Sequence, residues 1–555
     1  MFELFFALII YFIIIASVYG YGLVTVDLIA KNFGTQNIGY TGLAGVLILT
    51  IYSYFSHFFY SHYAFHNIAV VALGFLGLIF FLKKKIFDTF HFYALLIFLI
   101  LFLGIIIFKT HDDFPYYHFP YTYYINQNSL MIGIGQFNHG FRTPSSIFYL
   151  SSLFYLPVIK LNLFHISSIL IMGFSNIIFL EKILTNIKKI NYEFYYYLFC
   201  LIFVNIFFYR IAEHGTDRSA QILILILIPE IYRAINYKID YNDFFCKFYI
   251  ILSLIISFKV FYILYLSLSL PLAYYLIKKL KFSKFLKIIF YNHFFIMFLL
   301  LLSLISITSV FNTGCVLYPV EVTCFENFKW AIKSSEVIDM NNWYELWSKG
   351  GAAPNFRVDN PSEYILFFNW VPNWLNIYFF NKVSDFLLGL ILMIIIFCIV
   401  FYSKKKKESL KRKNFFIFFI LLCLVAEWFY NHPALRYGGY SLIAGILFLS
   451  FSQILEKNSL RTKELKKKAF VLVTIAFLVF TIRNGIRINN EIDKYSYKPL
   501  KNFSYKIDES HFRIDKEFKS LIKNFEDCEN NLKTCDKNLK NKVEKFHDKI
   551  IFITN

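Results

Sequence analysis

The chain is predicted to be an all-α polytopic membrane protein with about 14 transmembrane helices (12–14). Three observations predict this class. Of its 555 residues, 58% are hydrophobic and only 17% are charged, whereas a soluble chain of this length exposes far more charge. Apolar runs of about 20 residues recur along it, the length needed to cross a bilayer core. The lysines cluster between those runs, as expected for loops retained on the cytoplasmic side. The runs do not alternate in polarity with period two, so an outer-membrane barrel is not indicated.

In order, the predicted spans are 2–19, 38–59, 64–82 and 91–108, then 163–180, 194–209, 219–235, 247–258, 260–277 and 288–310, and after a long loop 386–402, 414–430, 437–453 and 469–482. The 247–277 stretch is interrupted by Lys259 and reads either as one long helix or as a short hairpin. Fourteen crossings put Lys83 to Lys85, Lys188 and Lys189, Lys278 to Lys287, Lys404 to Lys413 and Lys457 to Lys468 on one face. That face is assigned to the cytoplasm. Both termini and the 109–145 loop then lie outside. Residues 2–19 lack a basic leader and a small-residue cleavage site, and read as a retained first helix. Residues 146–160 are apolar but short and contain Pro157, so they are expected to lie in the outer interface as a helix.

The chain therefore divides into a three-helix segment (1–85), a membrane domain (86–482) with outer loops 109–162 and 311–385, and a charged tail (483–555). The tail is expected to be a small periplasmic helical appendage or loosely ordered. The net charge of +20 is explained by the loop lysines, and no nucleic-acid partner is expected. Two cysteine pairs fall in outer segments, where disulfides are permitted: Cys315 with Cys324, and Cys528 with Cys535.

Thr110 to Ser146 is the stretch richest in reactive residue types. Asp112 and Asp113 are adjacent carboxylates just outside a span. They suit a base or a divalent-cation ligand (Mg or Mn, on Asp113). They also suit the first turn of a helix beginning near Pro115. His118, His139 and Arg142 follow. Arg142 suits either a phosphate-bearing ligand or a structural contact. The tyrosines around them read as an interfacial belt. A second polar turn, Arg210 to Gln221, holds Asp217, a candidate acid or a helix N-cap. Lys259 interrupts an apolar run, which requires snorkelling or an anion. Arg436 opens a late span, facing lipid phosphates or a substrate. No P-loop, dinucleotide fingerprint, H-E-x-x-H or C-x-x-C spacing occurs.

Taken together, these motifs resemble the GT-C class of membrane glycosyltransferases. D-F-P-Y-Y-H, through Asp113, Tyr117 and His118, resembles the acidic first outer loop of uncharacterised bacterial members. Asp112 gives the D-D form. QFNHGFRTPSS resembles the segment leading to the interfacial helix, and GTDRS, through Asp217, the second acidic turn. SFKVFYILYL resembles the lysine-bearing hairpin through Lys259, and ALRYGGY the Arg-Tyr that opens a late span. The likeness covers about residues 90–450. It implies transfer of a sugar from a polyprenyl-(di)phosphate carrier in the membrane lipid to a cell-envelope glycan or lipid acceptor, at the periplasmic face of a bacterial inner membrane. Asp113, Asp112 and Asp217 would be the catalytic acids. His118, His139, Arg142, Lys259 and Arg436 would bind substrate. The alternatives are an O-antigen polymerase or ligase, whose long outer loop relies on arginines where 311–383 has only Arg357, and a transporter or non-enzymatic membrane protein.

Overall fold

The computed structural model describes residues 2–30, 37–82, 89–188, 190–353, 356–402, 415–457, 462–507, 516–530, 541–546 and 549–554. Among the described residues, 12 helices are long and apolar enough to cross a membrane: Phe2–Ile29, Ile38–His57, Ala64–Leu82, Thr89–Ile106, Ile166–Asn186, Ile211–Asn236, Tyr241–Phe258, Val260–Lys279, His293–Thr313, Val371–Phe401, Gly439–Glu456 and Lys463–Tyr495. Two shorter apolar helices, Tyr192–Phe207 and Phe415–Asn431, occupy the remaining expected positions. The polytopic helical class is thus the observed one. The 247–277 stretch resolves as two helices, because Lys259 adopts an extended backbone (φ −159°, ψ 127°) that ends the first. The second begins as a 3-10 turn, Val260–Leu268, and continues as Ser269–Lys279.

Ile166–Asn186 and Ile211–Asn236 form the centre, each 89% buried over its apolar window. Tyr192–Phe207 packs between Ile166–Asn186 and Gly439–Glu456. The first helix packs on both the second and the third through small residues. A Cβ on Gly22 would lie 1.9 Å from the Thr41 carbonyl oxygen, and one on Gly45 equally close to that of Val18. Backbones this close are the usual device where lipid supplies no hydrophobic drive between helices.

Ile211–Asn236 carries a charge at each end. Near one end, Glu230 is 1% exposed. Its carboxylate accepts from Lys182 Nζ (2.6 Å), Arg233 Nη2 (2.5 Å), Tyr40 Oη (3.1 Å) and Tyr197 Oη (3.1 Å). Asp217 lies 13 positions earlier, about 20 Å away along the helix. These are called below the lysine-rich end and the Asp113 end.

Two expectations are corrected. The interfacial helix at 146–160 reduces to Ser146–Ser152, and all seven of its residues are buried. It packs against Ile38–His57, Phe119–Gln127 and Ile166–Asn186. Its serines explain the enclosure: Ser152 Oγ bonds His62 Nδ1 at 2.6 Å and Ser151 Oγ bonds Ser167 Oγ at 2.8 Å. The tail, in turn, is no loose appendage where it is described. The last long helix runs on to Tyr495, and the next turns dock on the 105–109 backbone. Lys506 Nζ donates to Ile105 O (2.6 Å), and Tyr497 Oη to Ile106 O (2.9 Å). A two-stranded antiparallel hairpin, Asn541–Phe546 with Lys549–Thr554, follows. Its second strand pairs with Ile132: Ile132 N donates to Ile550 O, and Phe552 N to Ile132 O, both at 2.9 Å. Gly133 has φ 72°, and a Cβ there would sit 2.4 Å from the Phe552 carbonyl oxygen, so glycine is required beside that strand.

A disulfide joins Cys315 and Cys324. The Cys528–Cys535 pair lies outside the described residues, because Cys535 and the side chain of Cys528 are not described.

Candidate functional site

The site is assembled from four chain segments that reach the Asp113 end. Beyond Thr89–Ile106 the chain turns at His111 and enters a short π-helical turn, Phe114–His118, with Pro115 in its first positions. Asp113 precedes that turn, but its side chain does not cap it. Instead Asp113 Oδ2 accepts from Tyr117 Oη at 3.0 Å, the residue one helical turn on. His111 Nδ1 lies 3.2 Å from the same oxygen and 3.1 Å from the Asp113 amide. That nitrogen can serve only one of them at a time. With a proton it donates to Oδ2; with a lone pair it accepts from the amide. Oδ1 has no hydrogen bond among the described residues.

Asp217 is 1% exposed. Its helix starts at Ile211 and is kinked at His214 (φ −125°, ψ 26°), so the polar turn expected at 210–221 is mostly helix and Asp217 is not its N-cap. One carboxylate oxygen meets Lys259 Nζ; the other accepts from Arg436 Nε at 2.9 Å. Lys259 reaches it because the extended residue between two helices projects its side chain sideways. Arg436 lies in the turn Leu435–Tyr437. Its carbonyl is held by Gln221 Nε2 (2.9 Å) and Tyr262 Oη (3.3 Å). Its guanidinium lies over Trp347 (5.3 Å) and Tyr437 (5.6 Å). Its Nη1 and Nη2 make no hydrogen bond among the described residues. Lys259 Nζ lies 4.9 Å from the centre of the Tyr437 ring.

The four groups share one field. Burial alone would raise the Asp113 carboxyl, but His111, His118 and Arg436 outweigh it and hold Asp113 well below the usual carboxylate range. Burial, the largest single influence, would lower the Arg436 guanidinium, but Asp217, Tyr437, Tyr117 and Asp113 together outweigh it and raise it. Tyr117 is pushed well above its ordinary value, chiefly by burial and then by Asp113, so it stays a donor. Burial takes His118 down to about 3, leaving a neutral ring packed on Phe148 (4.9 Å) and Tyr117 (4.5 Å). Two carboxylates and two cations make the cluster formally neutral.

Sequence reasoning singled out Asp113, Asp217, Lys259, Arg436 and His118, and these come together. The other three do not join them in the same way. Asp112 is exposed, and its carboxylate has no hydrogen bond among the described residues. His139 sits beside Tyr116 (Nδ1 to Oη 3.3 Å) and is lowered by burial and by Arg142. Arg142, which suited either a phosphate-bearing ligand or a structural contact, is 5% exposed, and its guanidinium nitrogens bond protein. Nε donates to Gly135 O (3.0 Å), Nη1 to Tyr318 Oη (3.1 Å) and Nη2 to Glu336 (2.6 Å). It fastens the loop closed by Cys315–Cys324, and the helix Ser334–Lys349 that carries Glu336, to the 133–145 segment. Sequence reasoning missed His111 and Trp347. His111 carried a signal, since it lies two residues before Asp113; Trp347 carried none.

The residues do not fit a divalent cation well. Among the described residues no group of three His, Cys, Asp or Glu is placed to hold one. Both Asp217 oxygens already serve cations, and Lys259 and Arg436 would repel a third.

Fold and site together define a polytopic helical membrane protein with a neutral, paired charge cluster at one end. The chain belongs to the family described as domain of unknown function DUF8201, whose model matches residues 4–443 and so takes in the whole cluster. No curated protein and no solved structure matches it.

Proposed function

We propose that the protein is a GT-C-like membrane glycosyltransferase that moves a sugar from a polyprenyl-phosphate or polyprenyl-diphosphate carrier to an envelope glycan or lipid. The observation that carries the reading is the Asp217–Lys259–Arg436 cluster beside Asp113. Arg436 spends only Nε on Asp217, and its other two nitrogens are free to grip a phosphate. Lys259 adds a second positive charge. A departing lipid phosphate gains negative charge as the glycosidic C–O bond breaks, and prepositioned cations stabilise that charge where water is excluded. Asp217 keeps both cations folded and oriented until the donor arrives. Asp113, ionised and with Oδ1 open, accepts a hydrogen bond from the acceptor hydroxyl and orients it, taking its proton as the new bond forms. The reading assigns no step to Asp112 or to a metal. In it, the Asp113 end faces the periplasm of a bacterial inner membrane and the lysine-rich end faces the cytoplasm.

The test is to assay Asp113→Asn for envelope glycans and for consumption of polyprenyl-linked sugars in reconstituted vesicles. Loss of about 100-fold or more is expected for a positioned base. Wild-type turnover at normal expression would remove the proposal.

A further inference from the structure

We infer a second lipid-binding site, at the lysine-rich end, that takes the headgroup of an anionic phospholipid of the phosphatidylglycerol type. It does not depend on the proposed reaction, because it is built from residues on the opposite side of the protein.

The helix Phe282–Phe290 joins two apolar helices, Val260–Lys279 and His293–Thr313. Phe285 points into the protein, whereas Phe282, Phe290 and Tyr291 are 58%, 58% and 79% exposed. Lys281, Lys284 and Lys287 are exposed and form no ion pair among the described residues. Exposed aromatics interleaved with lysines on a helix linking two spans are the pattern of an element lying in the membrane surface. Lys278 and Lys279 bring the lysines within ten positions to five.

A cavity of about 260 Å³ opens beside this helix, lined by Lys287, Ile288, Tyr291, His293, Asn242 and Asp243. It lies just below the size of sites for drug-sized ligands, about 300–1,000 Å³, and so fits a headgroup whose acyl chains remain in the bilayer. Asp243 adds a need for a hydrogen-bond donor on the headgroup. Its Oδ2 accepts from Lys247 Nζ at 2.7 Å, but its Oδ1 is buried with no hydrogen-bond partner among the described residues. A buried carboxylate oxygen needs a donor. Phosphatidylglycerol supplies both parts: a phosphate for Lys287 and hydroxyls for Asp243 Oδ1. The surrounding lysines favour a net-negative headgroup over a zwitterionic one.

The full chain, purified in detergent, would be titrated with phosphatidylglycerol, phosphatidylethanolamine, phosphatidylcholine or inorganic phosphate and read by native mass spectrometry. Phosphatidylglycerol should be retained preferentially, and excess inorganic phosphate should not displace it. The Lys284→Gln/Lys287→Gln variant should weaken that retention by roughly tenfold or more. The Lys466→Gln/Lys467→Gln variant, on a different helix, should leave it unchanged. Equal retention of all three lipids, displacement by inorganic phosphate, or equal loss in the two variants would overturn the inference. So would undiminished retention in Lys284→Gln/Lys287→Gln. All four substituted lysines are exposed, so a folding failure does not confuse the comparison.

Discussion

Asp217 and Arg436, 219 residues apart in sequence, meet through a 2.9 Å hydrogen bond, and Lys259 holds the other carboxylate oxygen. One acid thus serves two cations. Asp217→Asn should strand both. Breaking a buried pair from one side costs about 3–5 kcal/mol. Because the cations are 24% and 29% exposed, water relieves part of that, and a loss of about 2–3 kcal/mol is expected. Arg436→Gln should cost less, since Lys259 still serves Asp217. Unfolding of both variants in detergent checks the order.

Arg142 and Glu336 give a contrast. Glu336 is 47% exposed, so Glu336→Gln should change stability by less than about 1 kcal/mol. Arg142→Ala also leaves the Gly135 carbonyl and Tyr318 hydroxyl without their donor, and should cost about 2 kcal/mol or more. Arg142→Lys should rescue little, because one ammonium cannot reproduce a three-way planar contact. If the proposed function holds, glycan transfer at saturating donor should survive Glu336→Gln.

Stability should fall as the medium is acidified from about pH 6.5 towards pH 4. Burial holds His118 down to about 3 and His432 down to about 4. In that window the unfolded chain binds protons that the folded chain refuses, so acid favours unfolding. The slope should be on the order of 1 kcal/mol per pH unit for each histidine. His118→Gln should flatten it. Asp113 has the same sign at lower pH: its contribution is present above about pH 4 and is lost as pH falls below that. A pH series of unfolding midpoints for wild type and His118→Gln decides the matter.

Reduction of Cys315–Cys324 should loosen the 313–340 loop rather than the membrane helices. The bridge closes a short loop, with a sequence separation of nine, worth about 2–3 kcal/mol of chain entropy. Hydrogen exchange after reduction should rise over 313–340 and at the Arg142 contacts, and stay unchanged in Ile166–Asn186.

The helices were legible because apolar runs of membrane length have few other uses. Asp217, Lys259 and Arg436 were legible for a related reason. A charge at the end of an apolar run is costly unless something meets it, and here each meets another. What met Arg142 was not legible, since Glu336 is 194 residues away and nothing local marks the pairing. Trp347 was hidden by composition: in a chain with 21% aromatic residues, one more indole carries no signal. The tail was misread because its two six-residue strands sit among lysines, and Ile132, which pairs with the second, belongs to a loop far upstream.

That strand pairing bears on how the protein is made. Lys549, on the same strand, donates to the carbonyl of Phe58 at 2.6 Å across 491 residues. At about 5–20 residues per second, the ribosome needs roughly 25–100 s to cover that distance. For most of that interval the Ile132 amide and carbonyl lack their strand, so the loop that carries Asp113 is finished only when the distal hairpin is delivered to the same side of the bilayer. Docking of the hairpin is therefore a late assembly step, and a nascent chain cut before it should insert its helices yet leave the Asp113 loop open to protease.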